Sequence, residues 1–218
     1  MNAKIIAVIG GTGDLGKGLV KRWADAGFEV VIGSRTADKA QATAADLVAE
    51  KASRKITGTD NLDAAEKGDV VAVSVPFSHQ KGTLEAIQDA VAGKIVIDTT
   101  VCLQPPKVGT VQLPPEGSAG MIAEQILGGT ARVVSAFQNV PATELQGDGE
   151  VHCDILVTGN DKEARQEVVE LIQTMGTRAF SAGPIANSIA AEALTSVLIT
   201  LNRQYKTHAG IQLTNIDG

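Results

Sequence analysis

Aromatic residues make up only 3% of this 218-residue chain, too few to build the ring platforms on which nucleic-acid bases stack. Excess positive charge is missing as well. The formal net charge of −6 argues against a general nucleic-acid binder, although it leaves room for a local basic pocket. There are two cysteines, Cys102 and Cys153, far apart and without metal-ligand spacing. A reduced, cytoplasmic protein with two structural thiols is the simple expectation. No unbroken apolar run reaches the roughly 18 residues of a membrane span. The chain enters a strand almost at once, which leaves no room for a signal peptide. Neither a repeat of 20–50 residues nor a low-complexity tract is present.

What remains is the composition of a globular protein, 44% hydrophobic and 20% charged. Its length suits one large α/β domain, alone or with a small appendage. Residues 1–100 alternate strand and helix patterns. Strands are expected at 4–9, 28–32, 55–58, 69–75 and 94–98, and helices at 15–26, 36–52, 61–67 and 78–91. The runs Val70–Val75 and Ile95–Ile97 are almost wholly apolar, as in parallel strands buried on both faces. The fold class is therefore α/β, a Rossmann-type doubly wound parallel sheet with a small C-terminal α/β extension and a long C-terminal helix. We divide it into a nucleotide-binding domain, 1–140, and a smaller C-terminal domain, 141–218.

The chain is organised around its first strand–loop–helix. Ile5–Ile9 is followed by Gly11-Thr12-Gly13-Asp14-Leu15-Gly16, a dinucleotide-binding G-x-G-x-x-G between a strand and an amphipathic helix. Gly11 is assigned the tight turn, Gly13 the close approach of the pyrophosphate and Gly16 the packing of helix on sheet. The helix N-terminus offers free N–H groups and partial positive charge, which Asp14 complements. The second strand chooses the nucleotide. An NAD site usually places Asp or Glu at its end, but this chain has Ser34-Arg35-Thr36, with Lys39 one turn later. A guanidinium, an ammonium and two hydroxyls suit a 2′-phosphate, so the expected cofactor is NADP(H).

Ligands in such sheets bind beyond the carboxyl ends of the strands. Val75, Pro76, Phe77 and His79 follow the fourth strand and fall near the nicotinamide end. His79 reads either as a proton donor or substrate contact, or as a first-turn residue facing solvent. Residues 101–118, with two proline pairs, form a long loop of the kind that walls or covers a site. Ser118 caps a helix running to Leu127. Strands are then expected at 132–137, 153–157 and 178–180, with a helix at 162–175. Asn139, Val140, Pro141 and Ala142 leave the strand at 132–137 and should face the cleft. The last helix, 184–204, is apolar over more than one stripe, which suggests a homodimer interface as readily as packing across its own domain.

Four segments together resemble a known family: Gly10–Gly18, Gly33-Ser34-Arg35, Ser135–Ala142, and Ala182-Gly183-Pro184 with Asn187-Ser188. They are similar, in order and spacing over nearly the whole chain, to the NADPH-dependent reductases of coenzyme F-420, the 8-hydroxy-5-deazaflavin:NADP oxidoreductases. The cytosolic domains of STEAP metalloreductases resemble the same family. The resemblance implies hydride transfer between the nicotinamide and the deazaflavin. It also implies a deazaflavin cleft walled by Val75 and Pro76, by Asn139-Val140-Pro141 and by the region of Gly210 and Ile211. Archaeal members carry tryptophan where this chain has Phe77, which keeps an aromatic wall.

The sequence offers no Ser-His-Asp set, metal cluster or evident carboxylate pair. Transfer between two hydride carriers needs mainly ring stacking and exclusion of water, so no indispensable acid–base residue is expected. Two other readings fit the same residues. One is an NADP-dependent reductase of a flavin, ferric chelate or small imine. The other is a non-catalytic NADP-binding sensor.

Overall fold

The computed structural model describes residues 4–216. Five parallel strands joined by four helices open the chain. β1 (Ile5–Ile9), β2 (Glu29–Ser34), β3 (Lys55–Asp60), β4 (Val70–Val73) and β5 (Ile95–Asp98) alternate with α1 (Asp14–Asp25), α2 (Ala37–Glu50), α3 (Asn61–Lys67) and α4 (Phe77–Ile87). A long loop then leads to α5 (Ala119–Leu127) and β6 (Arg132–Ser135). The sheet order is β3-β2-β1-β4-β5-β6, continued by β7 (Ile155–Gly159) and β8 (Ala179–Ser181), so its first six strands have the 3-2-1-4-5-6 order of a dinucleotide-binding sheet.

Both faces of the sheet are covered because its central strands are apolar at every position: all four residues of β4 are buried. One face packs under α1, α2 and the later α7, with Trp23 fully buried and set edge-on to Phe137, ring centroids 5.9 Å apart. Ala65, Leu84, Ile87, Ala123 and Leu127 cover the other face. Ser118 caps α5 as expected, its hydroxyl accepting the Met121 N–H at 3.0 Å.

The sequence-based pattern needs correction beyond β6. A short helix, α6 (Ala142–Gln146), was missed. It packs against α1, where Gly18 faces Leu145 at a distance that excludes a Cβ. Arg22 holds it by donating to the carbonyls of Glu144 and Leu145. Five residues are too few to show a helical period. β7 (Ile155–Gly159) then runs antiparallel to β6, so the sheet is not wholly parallel. Only Val134–Ser135 and Thr158–Gly159 pair, and β7 with its parallel neighbour β8 (Ala179–Ser181) is displaced towards the carboxyl edge. α7 (Lys162–Gln173) links them, its N-terminus capped by Asp161.

Pro184 does not open the final helix. It precedes a 3-10 turn, Ile185–Asn187, and α8 follows at Ser188–Tyr205. The face of α8 that packs on the protein carries Ser188, Ala191, Glu192, Ser196 and Leu198. Val197, Leu201 and Tyr205 are exposed, at 45%, 36% and 66%. By length and composition Ile185–Tyr205 could cross a membrane, with a third of its apolar window buried, a property that a search for unbroken apolar runs does not detect. The tail returns over β7: Asp154 donates its N–H to the Ile211 carbonyl at 2.7 Å and accepts the Leu213 N–H at 2.6 Å.

Candidate active site

The glycine loop turns sharply where β1 ends. Its left-handed residue is Gly10, with φ +77°, rather than Gly11, and a Cβ on Gly10 would strike the Ser74 carbonyl. Gly11 is buried against β1 and β2, where its own Cβ would lie 2.9 Å from the Val8 carbonyl oxygen. Gly16 packs α1 onto the loop, as expected: a Cβ there would lie 2.6 Å from the Gly10 carbonyl oxygen. Gly13 differs from these. A Cβ on it would meet only the Gly10 carbonyl oxygen, at 3.5 Å, so its bare backbone borders open space. The N–H groups of Thr12, Asp14 and Leu15 have no acceptor among the described residues. That is an anion cradle at a helix N-terminus.

Two cavities meet at this cradle. The first, about 370 Å³, is lined by Gly10, Thr12, Gly13, Ser34, Arg35, Thr36, Lys39, Asn61, Ser74, Val75, Pro76, His79 and Thr83. Arg35 and Lys39 have no acidic partner among the described residues, and both are exposed. Asn61 contributes a buried Oδ1 without a hydrogen-bond partner. Free cations, hydroxyls and an unsatisfied amide fit the adenosine half of NADP(H). His79 lies in the first turn of α4, exposed to solvent at the mouth of this cavity.

The second cavity, about 860 Å³, shares Gly13, Ser74, Val75 and Pro76 with the first. It adds Asp14, Leu15, Phe77, Ser78 and the stretch Thr99 to Val108 through Leu103, Gln104 and Pro105. Its character is apolar, as a planar ring pair requires. The structure thus brings together Thr12, Gly13, Asp14, Leu15, Ser34, Arg35, Thr36, Lys39, Val75, Pro76, Phe77 and His79.

Gly11, buried behind the loop, lines neither cavity, and nor do Asn139, Val140, Pro141, Ala142, Gly210 and Ile211. The buried Asn139 turns its amide away from the sheet, donating to the Ala191 carbonyl at 2.8 Å and to Thr195 Oγ1 at 3.2 Å. Gly210 packs on Cys153 beside the Asn139 carbonyl. Gln146 of the same connection donates to the Asp14 carbonyl at 2.8 Å, tying α6 to the start of α1. Sequence reasoning missed Gly10, Asn61, Ser74, Thr99 and Thr100. The strand-end rule points to the last three, since Ser74 follows β4 and Thr99-Thr100 follow β5.

Beneath the second cavity lies a buried polar group. Asp98 is fully buried; it accepts from Thr100 Oγ1 and from Gln80 Nε2, each at 2.8 Å. Burial pushes its carboxyl up to about 7, the Thr100 bond opposing and the Glu192 charge adding to the rise. Glu192, 2% exposed, accepts the Ala119 and Gly120 N–H groups, and burial raises its carboxyl as well. Cys102 donates to Glu192, and burial holds its thiol far above the usual range. Both cysteines are free and buried.

Residues 5–102 match the protein family described as NADP oxidoreductase, coenzyme F420-dependent. A relative in Methanocaldococcus jannaschii, the F420-dependent NADP reductase, is 39% identical over 97% of this chain and 99% of its own. The chain belongs to this family. A second member, the F420-dependent NADP reductase of Methanothermobacter thermautotrophicus, is 43% identical over 97% of this chain and 95% of its own. Among solved structures, a hypothetical protein from Sinorhizobium meliloti superposes with a TM-score of 0.69 at 23% identity, covering 86% of this chain and 88% of that one. That likeness concerns the fold alone.

Proposed function

We propose that the protein transfers a hydride between NADP(H) and the deazaflavin coenzyme F-420. Family membership supports the pair of reactants. The observation that carries the reading is the junction at Gly13 and Ser74–Pro76, where a cationic cavity opens into a larger apolar one. The loop amides hold the pyrophosphate, and Arg35, Lys39, Ser34 and Thr36 hold the 2′-phosphate. Leu15, Val75, Pro76 and Phe77 then present apolar surface to the nicotinamide, with Leu103, Pro105 and Val108 opposite. When bound, the two cofactors supply the hydride chemistry. The residues named here orient the rings and exclude water.

The test is an acceptor panel with NADPH as donor: coenzyme F-420, free flavin, a ferric chelate and pyrroline-5-carboxylate. Turnover with the deazaflavin at least 100-fold faster than with the others is the expected outcome. Comparable rates with another acceptor would replace this reading, and tight NADPH binding without turnover on any of them would favour a sensor.

Our reading also includes a homodimer joined through α8. That helix turns small and polar residues inward and Val197, Leu201 and Tyr205 outward, the reverse of an ordinary surface helix. Light scattering should give twice the chain mass of 22.5 kDa for the native protein. Val197→Glu with Leu201→Glu should give the monomer. Soluble cofactors, buried free thiols and the acidic net charge fit a cytoplasmic protein without nucleic-acid or membrane partners. The division into 1–140 and 141–218 remains part of this reading, although both cavities are lined by residues of the first segment alone.

A further inference from the structure

Asp98 and Glu192 are two buried carboxyl groups with no cation at ion-pair distance among the described residues. They meet across a single residue. Gln80 Nε2 bridges Asp98 to the Ala119 carbonyl, and Glu192 accepts the Ala119 N–H. Two such groups are not both ionised without large cost, so the cluster retains a proton. The other titratable group facing it is Cys102, from the loop after β5; β4, β6, α4 and α5 present Val73, Ser135, Gln80 and Ala119, none of which titrates. Glu192 already accepts two backbone N–H groups and a thiol, which favours its ionised form. The proton therefore falls to Asp98, whose single hydroxyl partner, Thr100, forms part of the wall of the 860 Å³ cavity.

We propose that Asp98 and Thr100 form a proton-holding pair that serves the acceptor cavity, in place of the expectation that no acid–base residue is needed. Reducing a deazaflavin ring requires one hydride at carbon and one proton at a ring nitrogen. The hydride, with its electron pair, comes from the dihydronicotinamide. In the protonated pair Asp98 donates to Thr100 Oγ1, the reverse of the bond its carboxylate accepts. The proton leaves Thr100 Oγ1 as that oxygen takes the proton of Asp98, and the buried carboxylate left behind is reprotonated from the cavity back through Thr100 before the next turnover. In the opposite direction each transfer reverses. A threonine hydroxyl can act in this way because it donates and accepts at once. Carboxyl groups held near neutrality suit general acid–base work in both directions.

This inference rests on reading the larger cavity as the acceptor site, and its test separates the two. The neutral-carboxyl infrared band of Asp98, identified by its loss in Asp98→Asn, is titrated in the protein alone and again with oxidised coenzyme F-420. Single-turnover rates are measured for Thr100→Val, which removes the hydroxyl at constant shape, and for Thr100→Ser, which restores it. We expect a band titrating near neutrality that shifts when the deazaflavin binds. We expect Thr100→Val to slow the single turnover about 100-fold and flatten its pH profile, with NADPH binding within two-fold and with recovery in Thr100→Ser. A wild-type rate and pH profile in Thr100→Val, or no titrating band, would overturn the proton route. A titrating band that ignores the deazaflavin would instead overturn the placement of the acceptor. If Asp98→Asn does not fold, the Thr100 variants and the shift of the band in Thr100→Val decide the matter.

Discussion

Glu192 of α8 accepts the backbone N–H of Gly120 at 2.9 Å, and that of Ala119 at 2.8 Å, so the first turn of α5 is capped by a carboxylate from a different helix. The pair fixes α8 to the element beside the acceptor cavity. Replacing a buried ion by a hydrophobic residue is often harmless, but here the exchange would orphan two buried backbone donors. Glu192→Leu should destabilise the protein by about 2–4 kcal/mol. Chemical denaturation checks this, and Glu192→Gln, which keeps one acceptor oxygen, should lose less.

In the proposed site Arg35, just after β2, and Lys39, in the first turn of α2, set the nucleotide preference. Removing a charge-assisted hydrogen bond to phosphate costs about 1.5–3 kcal/mol. Arg35→Ser should therefore raise the KM for NADPH about 10–100-fold and leave the KM for NADH nearly unchanged. Steady-state kinetics with both nucleotides check the split.

Gly13 separates binding from folding. An added methyl there meets only one protein atom, at 3.5 Å, yet it projects into the phosphate cradle. Gly13→Ala should melt within about 2 °C of the native protein while binding NADPH at least about 10-fold more weakly, since the loop backbone can no longer approach the pyrophosphate. Calorimetry and fluorescence titration of the nucleotide test the two halves.

Stability should fall as pH rises from about 4 to about 7. The Asp98 carboxyl is raised to about 7 in the folded protein, against about 3.9 in an unfolded chain. Between those values the native state holds a proton that the unfolded state has released, and stability then declines with pH. Above the folded value the contribution is flat. Asp98→Asn, neutral throughout, should lose this slope. Melting temperatures at closely spaced pH values are the measurement.

Most of the nucleotide half was legible in the sequence because its signals are local. The β-branched run Ile5–Ile9, the glycines of the loop and Arg35 after the second strand each depend on neighbours a few residues away. The positive φ falls on Gly10, which leaves β1 beside the end of β4, where the Ser74 carbonyl leaves no room for a side chain. No local pattern reports that. The same holds for Asn139. Its place after β6 suggested the cleft, but its amide is satisfied by Ala191 and Thr195, more than 50 residues away. Asp98, Gln80 and Glu192 were invisible for a similar reason: three separate segments meet only once the sheet and α8 are assembled. The proline-rich stretch reads as an ordered loop from composition, since paired prolines leave it few alternatives. Its first part, to Val108, borders the second cavity, whereas Pro114 and Pro115 border neither.

The most direct test of the account is a comparison of NADPH and NADH oxidation by the purified protein with coenzyme F-420 as acceptor, followed by loss of the oxidised deazaflavin absorbance. Rapid loss is expected with NADPH, and a kcat/KM at least about 10-fold lower with NADH, from the phosphate contacts of Arg35 and Lys39. No loss with NADPH, although the nucleotide binds tightly, would contradict the assignment of the acceptor. Equal rates with NADH would contradict the assignment of the nucleotide site.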